Sequence, residues 1–441
     1  MRDNDHITMI GAGLAGPLMA SYLSGHGHSV EIHEKREDIR TVEQSAGRSI
    51  NLALSKRGID ALKDVGVFDV ISPMMLPMVG RMIHDIDGSV HLQKYGQKAS
   101  EVIYSISRAF LNKTLMDHAE NMGNVNIIFD HSLLGVDLDS SELVFNDKRE
   151  SFDRLFGSDG SASVVRDAMD KLSSINFRRK PLGHGYKELT IPPDAKGDHR
   201  MDPKALHIWP RGDFMLIALP NMDHSFTCTL FFPLDGEVSF STMGSRGKIS
   251  ELFNSYFPDT IELIPDLINE FQSNPIGKLA TVYCDKWHYK DKTMIFGDAA
   301  HAVVPFFGQG MNASFQDCTV INELIIRYNG EWSEVHSEFS NQQVPNGHAI
   351  ADMALENYIE MRDSVNEPLY QRRRELEFEL EEKFNDRFIP RYSMVSFHNM
   401  PYSKVYERGA VQLNLINGYL SGELSKEKLH ESVLNGLSPI R

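Results

Sequence analysis

Glycines and one acidic residue at the start of the chain have the spacing of a nucleotide-binding site. The apolar segment 6–10 predicts a buried strand, and Gly11, Gly13 and Gly16 follow it before an apolar-periodic helix. A second strand ends at Glu34, eighteen residues after Gly16. This order of strand, glycine turn, helix, strand and acid is that of dinucleotide-binding units, in which the glycines allow a tight turn and close approach to the pyrophosphate. Glu34 is then placed to accept hydrogen bonds from a ribose.

A second glycine turn, within residues 295–313, has the residues to hold another part of the same ligand. A short apolar strand breaks at Gly297-Asp298, and Gly308 and Gly310 precede a helix. A carboxylate just past the carboxyl end of a strand lies where open α/β sheets bind ligands. Glycines let backbone N–H groups approach an anion at a helix N-terminus. Taken alone, an ordinary strand–loop–helix corner explains this stretch equally well.

The glycine turns together predict a cofactor longer than a nicotinamide dinucleotide. Asp159 also follows an apolar strand and precedes a helix, so it repeats the layout around Asp298. A nicotinamide dehydrogenase needs only the first turn, whereas the late Gly-Asp strand suggests FAD lying across the sheet. Asp298 can then bind the ribityl chain. The helix after Gly310 directs its positive end at the isoalloxazine, where reduction places negative charge.

Length, composition and net charge limit the classes of protein to which this chain can belong. The chain has 441 residues, of which 41% are apolar and 24% charged, and a formal net charge of −16. This size suits two or three domains, and the negative charge argues against a nucleic-acid partner or an anionic membrane surface. The three cysteines are widely spaced, and no run of 18 apolar residues occurs. We therefore expect a cytoplasmic protein without a disulfide framework, a metal site or a transmembrane anchor.

The hydrophobic pattern predicts an α/β fold with an inserted sheet and a helical end. A Rossmann-like domain with a mostly parallel sheet and helices binds FAD, and a mainly antiparallel β-sheet forms a substrate domain. The predicted limits are 1–175 for the FAD-binding domain, with substrate-contacting strands near 78–106, 176–285 for the β-rich substrate domain, 286–330 for the return to the FAD domain, and 331–441 for the C-terminal helical region. Individual strands are predicted at 205–210, 214–220 and 225–232, and helices at 311–328, 333–365 and 368–384.

These features resemble the aromatic-ring hydroxylases, which are single-component FAD monooxygenases. More narrowly, the chain is similar to the kynurenine 3-monooxygenase family. The segments that carry the closer match are 47–54, 183–188, 207–210, 305–312, 356–358 and 387–394. With the flavin motifs, the resemblance extends from residue 11 to about residue 398.

The resemblance implies a reaction and its co-substrates. NADPH reduces the bound FAD, dioxygen adds to give a flavin hydroperoxide, and one oxygen passes to the ring of L-kynurenine to give 3-hydroxy-L-kynurenine in tryptophan degradation. The protein supplies no nucleophile in such a reaction, so no residue is predicted to be catalytic in that sense. It holds the ring, excludes water and couples NADPH oxidation to substrate binding.

The family's substrate-binding residues carry over to a set spread along the chain. They are Arg81, Tyr95, Asn357, Tyr392, Met361, Phe306 and Phe307. Arg81 can form a bidentate pair with the substrate carboxylate. Most of these assignments have an ordinary alternative. Arg81 and Tyr95 could be a plain pair on a sheet surface, Asn357 an exposed polar residue, and Met361 a core methionine. Phe306 and Phe307 could be ordinary buried aromatic residues.

The family's cofactor-binding residues carry over in the same way. They are Gly11, Gly13, Gly16, Glu34, Leu52, Ala53, Arg108, Asp298, Gly310, Met311 and Asn312. Arg108 would contact the cofactor near its pyrophosphate or ribityl part, and a surface arginine at a helix start is the alternative. Arg48 could contact the cofactor from its loop or be solvated. His301 we expect to be structural.

The C-terminal tail departs from the eukaryotic members, which carry an apolar membrane anchor. Residues 402–441 contain several charged side chains and cannot span a bilayer. The resemblance therefore implies a soluble, bacterial-type enzyme whose tail caps the substrate pocket.

Three questions stay open at this point. A FAD hydroxylase of another aromatic acid, a flavin-binding protein without oxygenase activity and a nicotinamide-only dehydrogenase are the competing functions. The sequence does not show where NADPH docks or whether it is preferred over NADH. It also leaves the oligomeric state open, with a homodimer as one alternative.

Overall fold

A computed structural model describes residues 5–42, 51–146, 148–364 and 368–440. The chain forms two compact units that alternate along the sequence. The first comprises residues 1–76, 104–184 and 277–354, and the second comprises residues 77–103, 185–276 and 355–441. The strands predicted near 78–106 therefore fall mainly in the second unit. The domain limits that the sequence suggested stay a prediction.

The first unit is built on a parallel sheet. Its six strands lie in the order His288–Tyr289, Thr293–Ile295, Arg154–Gly157, His6–Ile10, Ser29–His33 and Val125–Ile128. All neighbouring pairs are parallel except that between His288–Tyr289 and Thr293–Ile295. His6–Ile10 is central and buried from its second residue onward, as its unbroken apolar run requires.

Helices and small sheets complete this unit. The other strands that lie in it or reach it are Asn51–Leu54, Leu76–Met78, Ile103–Ser107, Gly135–Asp137, Glu142–Val144, Arg149–Ser151, Phe177–Ile191 and Gly277–Cys284. The helices are Ala15–Gly25, Lys56–Asp64, Phe68–Ile71, Arg108–Asn121, Val164–Lys171, Asp298–His301, Gly310–Arg327 and Trp332–Ile359, with 3-10 turns at Ser72–Met74 and Pro305–Phe307. Leu76–Met78, Ile103–Ser107, Phe177–Ile191 and Trp332–Ile359 cross the limits between the units.

The second unit contains a mainly antiparallel sheet. The seven strands of this sheet lie in the order Gly277–Cys284, Phe177–Ile191, Phe226–Pro233, Met215–Pro220, Ala205–Pro210, Gly80–His84 and Val90–Lys94. Ala205–Pro210 pairs with Gly80–His84 in parallel, whereas its other neighbour is antiparallel. One face packs on an apolar core that includes Trp209, Phe232 and Phe253. The strands predicted at 205–210, 214–220 and 225–232 are thereby confirmed to within one residue.

The remaining elements of the second unit are mostly helical. They are the helices Arg246–Tyr256, Leu267–Ser273, Pro368–Lys383, Arg391–Phe397, Tyr402–Leu420 and Lys426–Gly436, the 3-10 turns Phe240–Thr242 and Pro258–Thr260, and a π-helical turn at Glu360–Ser364. The last two helices pack through Ile416, Leu429 and Val433 on Leu376 and Leu380 of Pro368–Lys383. No helix within the described ranges is both long and apolar enough to cross a bilayer.

Candidate active site

Four strands of the parallel sheet end at one edge and bring the predicted cofactor residues there. His6–Ile10 lies between Ser29–His33 and Arg154–Gly157, and Thr293–Ile295 follows on the far side. Because these strands are parallel, the residues after them lie on the same side of the sheet. Glu34 and Asp298 follow strands that are three positions apart, which is about 14 Å at the usual strand spacing. A long dinucleotide can span that distance.

The first glycine turn is held tightly but leaves open space for a ligand. Gly11 has φ +101°, and a Cβ on it would lie 2.6 Å from the carbonyl oxygen of Ser158. A Cβ on Gly16 would lie 2.1 Å from the carbonyl oxygen of Gly11, so this glycine permits the close helix–strand packing. A Cβ on Gly13 would meet nothing within 4 Å. Gly13 therefore faces open space, as expected where a backbone approaches a ligand.

The Glu34 carboxylate is buried and anchored beside this turn. Its Oε2 accepts a hydrogen bond from the Ala12 N–H at 2.9 Å, and its Oε1 accepts one from Arg36 Nε at 2.7 Å. Burial acts to raise the pKa of Glu34, but the hydrogen bond and charge of Arg36, with the Ala12 N–H, bring that pKa below its ordinary value. The group is thus an ionised acceptor, which suits a ribose hydroxyl.

Two helix N-termini at this edge have no side-chain cap. Helix Ala15–Gly25 and helix Gly310–Arg327 each begin without a side chain that hydrogen-bonds their first N–H groups, and neither has an acidic residue in its first turn. Uncapped N–H groups and the positive end of the helix dipole favour an anionic ligand. Helix starts of this kind suit the pyrophosphate and the reduced ring of a flavin.

The Asn312 side chain ties the second helix to a neighbouring strand. Its Oδ1 accepts from the Ser55 N–H at 2.9 Å, and its Nδ2 donates to the carbonyls of Ala53 and Gly308 at 2.8 and 2.9 Å. The side chain is fully buried. These bonds hold residues 51–55, including half-buried Leu52 and Ala53, against the start of the helix. Asn312 therefore shapes the loop through its side chain, and a contact with a ligand would fall to its backbone N–H.

The neighbouring first-turn residues of this helix are accessible in part. Gly310 and Met311 are both half-buried, and Met311 packs on the core of the unit. Phe306 and Phe307, in the 3-10 turn before the helix, are buried. Their role beside the substrate ring stays a prediction.

Buried residues hold the loop that carries Asp298. Gly297 has φ +60° and donates its N–H to Asp317 Oδ2 at 2.9 Å, while His301 Nε2 lies 2.5 Å from the same oxygen. His301 also stacks on Trp287 with ring centroids 4.9 Å apart. Asp298 itself is exposed. His301 and Asp317 thus hold the loop, in agreement with a structural role for His301, and leave the Asp298 carboxylate available to a ligand.

Further polar groups complete the edge. Asp159 accepts from the Val164 N–H through Oδ2 at 2.7 Å, whereas its buried Oδ1 has no hydrogen-bond partner among the described residues. Burial raises the pKa of Asp159.

Arg108 is exposed at the first position of helix Arg108–Asn121, and Asn112, one turn later, donates to the carbonyls of Ala12 and Gly13 at 3.1 Å. The sequence analysis missed Asn112. Arg48 lies outside the described residues.

The residues at this edge fit FAD. The open space over Gly13, the two uncapped helix starts and the unpartnered oxygen of Asp159 are features that a bound dinucleotide would use. Of these features, the Asp159 oxygen is a buried polar atom whose missing hydrogen bond a ligand would supply.

A separate cluster forms in the second unit around Arg81. The rings of Tyr95 and Tyr392 are stacked, with centroids 4.9 Å apart and an interplanar angle of 9°. The Arg81 guanidinium carbon lies 5.8 Å from the Tyr95 ring centroid and 5.1 Å from that of Tyr392. The structure thus brings together three predicted substrate-binding residues that are up to 311 positions apart in the sequence.

Arg81 is a buried cation that makes no ion-pair contact with a described carboxylate, although the charge of Glu360 acts on it from farther away. It is 5% exposed, its Nε has no hydrogen-bond partner, and no described carboxylate forms an ion pair with it. A buried charge of this kind is costly unless it is paired. A ligand carboxylate would supply the missing partner.

The tyrosines of this cluster are neutral hydrogen-bond donors. Burial raises the pKa of Tyr95 well above its ordinary value and also raises that of Tyr392. Burial and then the charge of Glu360 raise the pKa of Tyr370. The hydroxyls therefore keep their protons, and a bound anion can accept from them.

Tyr370 and Glu360 are members of this cluster that sequence reasoning missed. The Tyr370 hydroxyl donates to Glu360 Oε1 at 2.9 Å, and Arg373 donates to Oε2 at 2.7 Å. Burial acts to raise the pKa of Glu360, but Arg373, Arg391 and Arg81 bring it below its ordinary value. The only indication in the sequence that Glu360 belongs to this cluster was its position about one helical turn after Asn357.

Asn357 and Met361 lie together at the end of a helix. Both are buried, and Asn357 Nδ2 lies 3.1 Å from Met361 Sδ. Met361 belongs to the π-helical turn Glu360–Ser364. Insertions of this type are frequent at functional sites. The assignment of Asn357 and Met361 to substrate binding stays a prediction.

Comparisons with known proteins agree with the class that this fold and site define, a FAD-dependent aromatic monooxygenase. The model of the FAD binding domain family matches residues 5–179 and 260–351. The structure of tetrameric 2-methyl-3-hydroxypyridine-5-carboxylic acid oxygenase is similar in fold, with a TM-score of 0.67 and 18% identity over 83% of this chain and 95% of that one. The predicted fold class and FAD cofactor are thereby confirmed.

Sequence relatives give the particular family. Kynurenine 3-monooxygenase of Myxococcus xanthus is 44% identical over 95% of this chain and 91% of its own length. That of Flavobacterium johnsoniae is 41% identical over 95% of both chains. The chain belongs to the kynurenine 3-monooxygenase family, as the sequence resemblance implied.

Proposed function

We propose that this protein hydroxylates L-kynurenine at ring position 3. L-Kynurenine, NADPH, a proton and dioxygen give 3-hydroxy-L-kynurenine, NADP⁺ and water, so one oxygen atom enters the ring and the other leaves as water. The observation that carries the proposal is the buried Arg81 beside two stacked tyrosines, with no described carboxylate in ion-pair contact, in a chain of this family. An amino-acid substrate brings the carboxylate that this cation lacks.

Bound FAD supplies the redox chemistry, taking electrons from NADPH and activating dioxygen. The chain's own part on the cofactor side is to hold that group. We assign the pyrophosphate to the turn of Gly11, Gly13 and Gly16, the ribose to Glu34, and the ribityl chain to Asp298. Leu52, Ala53, Arg108, Gly310, Met311 and Asn312 complete the proposed cofactor contacts.

On the substrate side, the proposed task is to bind and orient an anion in a dry environment. Arg81 pairs with the carboxylate, and the neutral hydroxyls of Tyr95 and Tyr392 donate hydrogen bonds to it. Burial of all three removes competing water, which strengthens the charge-assisted bonds. Asn357, Met361, Phe306 and Phe307 are proposed to contact the rest of the substrate.

Substrate-stimulated NADPH oxidation tests this assignment. The rates with L-kynurenine, anthranilate, 4-hydroxybenzoate and salicylate would be compared at equal flavin content, together with dioxygen consumption. We expect strong stimulation by L-kynurenine alone. Stimulation by another aromatic acid would identify a different hydroxylase, and a flavin-containing protein that consumes no dioxygen with any of them would be a binding protein.

Location, assembly and domain roles are also proposals. The three free, buried cysteines support a reducing, cytoplasmic location. A homodimer stays a prediction, which sedimentation velocity would test. We further propose that the FAD-binding function belongs to the first unit and the grip on the substrate carboxylate to the second.

A further inference from the structure

A cluster of nitrogen and oxygen ligands lies beside the parallel sheet, apart from the cofactor contacts proposed above. Glu31 and His33 are two residues apart on strand Ser29–His33, so their side chains point to the same face. Glu150, on the small strand Arg149–Ser151, faces them. One ligand atom from each of the three side chains lies within 4.8 Å of the other two.

The distances are close to those of a metal site. His33 Nε2 lies 3.2 Å from Glu31 Oε1 and 3.9 Å from Glu150 Oε2. Tetrahedral zinc with bonds of about 2.0–2.1 Å separates its ligand atoms by roughly 3.3 Å. Small rotations of the two glutamates, whose side chains are 30% and 29% exposed, would close the difference.

His33 is oriented as a ligand. Its ring is 1% exposed, and its Nε2 makes no hydrogen bond to any described residue although Glu31 lies near. His33 Nδ1 lies 2.7 Å from His131 Nδ1, and both rings pack on Phe145. When His33 donates a hydrogen bond through Nδ1, its Nε2 carries a lone pair that faces two carboxylates. A bound cation would remove the electrostatic repulsion between these groups. A hydrogen bond on the opposite ring nitrogen is the usual support for a metal-binding histidine.

We propose that Glu31, His33 and Glu150 bind a Zn²⁺ ion. The ligands are His33 Nε2 and one oxygen from each glutamate, and water takes the fourth position. Two carboxylates balance the charge of the ion, and one imidazole favours zinc over magnesium or calcium. The three cysteines are buried elsewhere in the chain and are not ligands of this ion.

Lys148 competes with the ion in this site. It pairs with Glu150 Oε1 in the absence of metal, but its side chain is 44% exposed and can turn into solvent. Zinc binding therefore exchanges an exposed ion pair, which contributes little, for metal coordination.

The proposed zinc site is next to the cofactor edge in the sequence. His33 directly precedes Glu34, and the Gly11 N–H donates to the His33 carbonyl at 2.9 Å. Zinc would pin the end of this strand to the small sheet that carries Glu150. An ion that binds only the folded state raises the temperature of unfolding.

Equilibrium dialysis of the tag-free, FAD-loaded protein against ZnCl₂ tests the proposal. We expect one equivalent to bind, with an affinity at least about tenfold lower in Glu31→Gln and in Glu150→Gln, by analogy with losses at metal sites. Glu142→Gln is the matched control, because Glu142 is a glutamate of the same small sheet that pairs with Arg149 and faces no histidine in the structure described. Unfolding temperatures without zinc would show that all four proteins are folded.

The outcomes separate the alternatives. X-ray absorption of the zinc-loaded protein should show one imidazole nitrogen with oxygen neighbours, and the zinc-induced rise in unfolding temperature should disappear in the two ligand variants. Equal zinc affinity in all four proteins would place the ion elsewhere and overturn the proposal. Absence of stoichiometric binding would overturn it as well, and the three residues would then form a charge network only.

Discussion

Replacement of Arg81 by alanine should weaken the binding of L-kynurenine while leaving FAD in place. Arg81 is buried beside the stacked rings of Tyr95 and Tyr392 and forms no ion pair with a described carboxylate, so a substrate carboxylate is its proposed counter-ion. Removing one member of a buried, hydrogen-bonded charge pair at a binding site costs about 2–5 kcal/mol. At about 1.4 kcal/mol for each factor of ten, the dissociation constant should rise roughly 30- to 4,000-fold.

The assay is a titration of bound flavin absorbance with L-kynurenine, followed by substrate-dependent NADPH oxidation. The amine that lacks the α-carboxylate, kynuramine, serves as a chemical control. It should bind the wild-type protein weakly, and Arg81→Ala should change its affinity by less than about threefold, a change within the scatter of single-contact effects. Arg81→Lys keeps the charge but loses the bidentate geometry, and we expect an intermediate loss.

Two results would refute this reasoning. Loss of flavin from Arg81→Ala would mean that Arg81 supports the cofactor or the fold. An equal loss of affinity for L-kynurenine and for kynuramine would mean that Arg81 does not recognise the carboxylate. Tyr95→Phe keeps the stacked ring and removes only the hydroxyl, so its effect should be near fivefold, the equivalent of about 1 kcal/mol.

The glycine turn, the His301–Asp317 pair and the C-terminal tail can each be tested by a separate measurement. Gly13→Val should fold normally but lose FAD, because the valine side chain would enter the open space proposed for the cofactor. Gly16→Ala should instead lose about 1–3 kcal/mol of stability from a clash with Gly11. The flavin-to-protein ratio and the thermal unfolding of the purified variants measure these effects, and a flavin-loaded Gly13→Val would contradict the assignment. Although burial lowers the pKa of His301, Asp317 raises it above the ordinary 6.5, so its contribution to stability is full below about pH 6.5 and lost as pH rises through the folded value. His301→Gln should therefore flatten the fall in unfolding temperature above that pH, and an unchanged profile would refute the pairing. Hydrogen exchange of residues 402–441 should slow when L-kynurenine binds, and equal protection in both states would remove the capping role of the tail.

Local patterns allowed the cofactor edge to be predicted from the sequence. The glycine turn around Gly11 and the Gly297-Asp298 step each lie within a short strand–loop–helix segment, where spacing alone sets the geometry. The parallel register then brings Glu34 and Asp298 to one edge, which the rule for ligand sites in open α/β sheets anticipates. The strands of the second sheet were also predicted closely, because their alternation is a local signal.

Long-range packing could not be read in this way. The stacking of Tyr95 on Tyr392 and the burial of Arg81 depend on elements distant in the chain, and only the family resemblance pointed to them. The bonds of the Asn312 side chain to residues 53, 55 and 308 were likewise invisible, since an asparagine near a helix start is equally common as a solvated residue.

The π-helical turn marks another limit of sequence reasoning. Periodicity predicted one helix over 333–365, but the α-helix ends at Ile359 and Glu360–Ser364 continues it with a wider turn. The hydrophobic pattern hardly changes when one residue is added to a turn. The sequence therefore did not show that Glu360 would meet Tyr370.

Product analysis under ¹⁸O₂ shows whether the protein transfers an oxygen atom from dioxygen to the kynurenine ring. The FAD-loaded protein would be incubated with L-kynurenine and NADPH, and the product would be identified by chromatography and mass spectrometry. We expect 3-hydroxy-L-kynurenine with one labelled oxygen in the ring hydroxyl, formed in proportion to the NADPH consumed. Unchanged L-kynurenine, or a hydroxylated product whose oxygen comes from water, would contradict it.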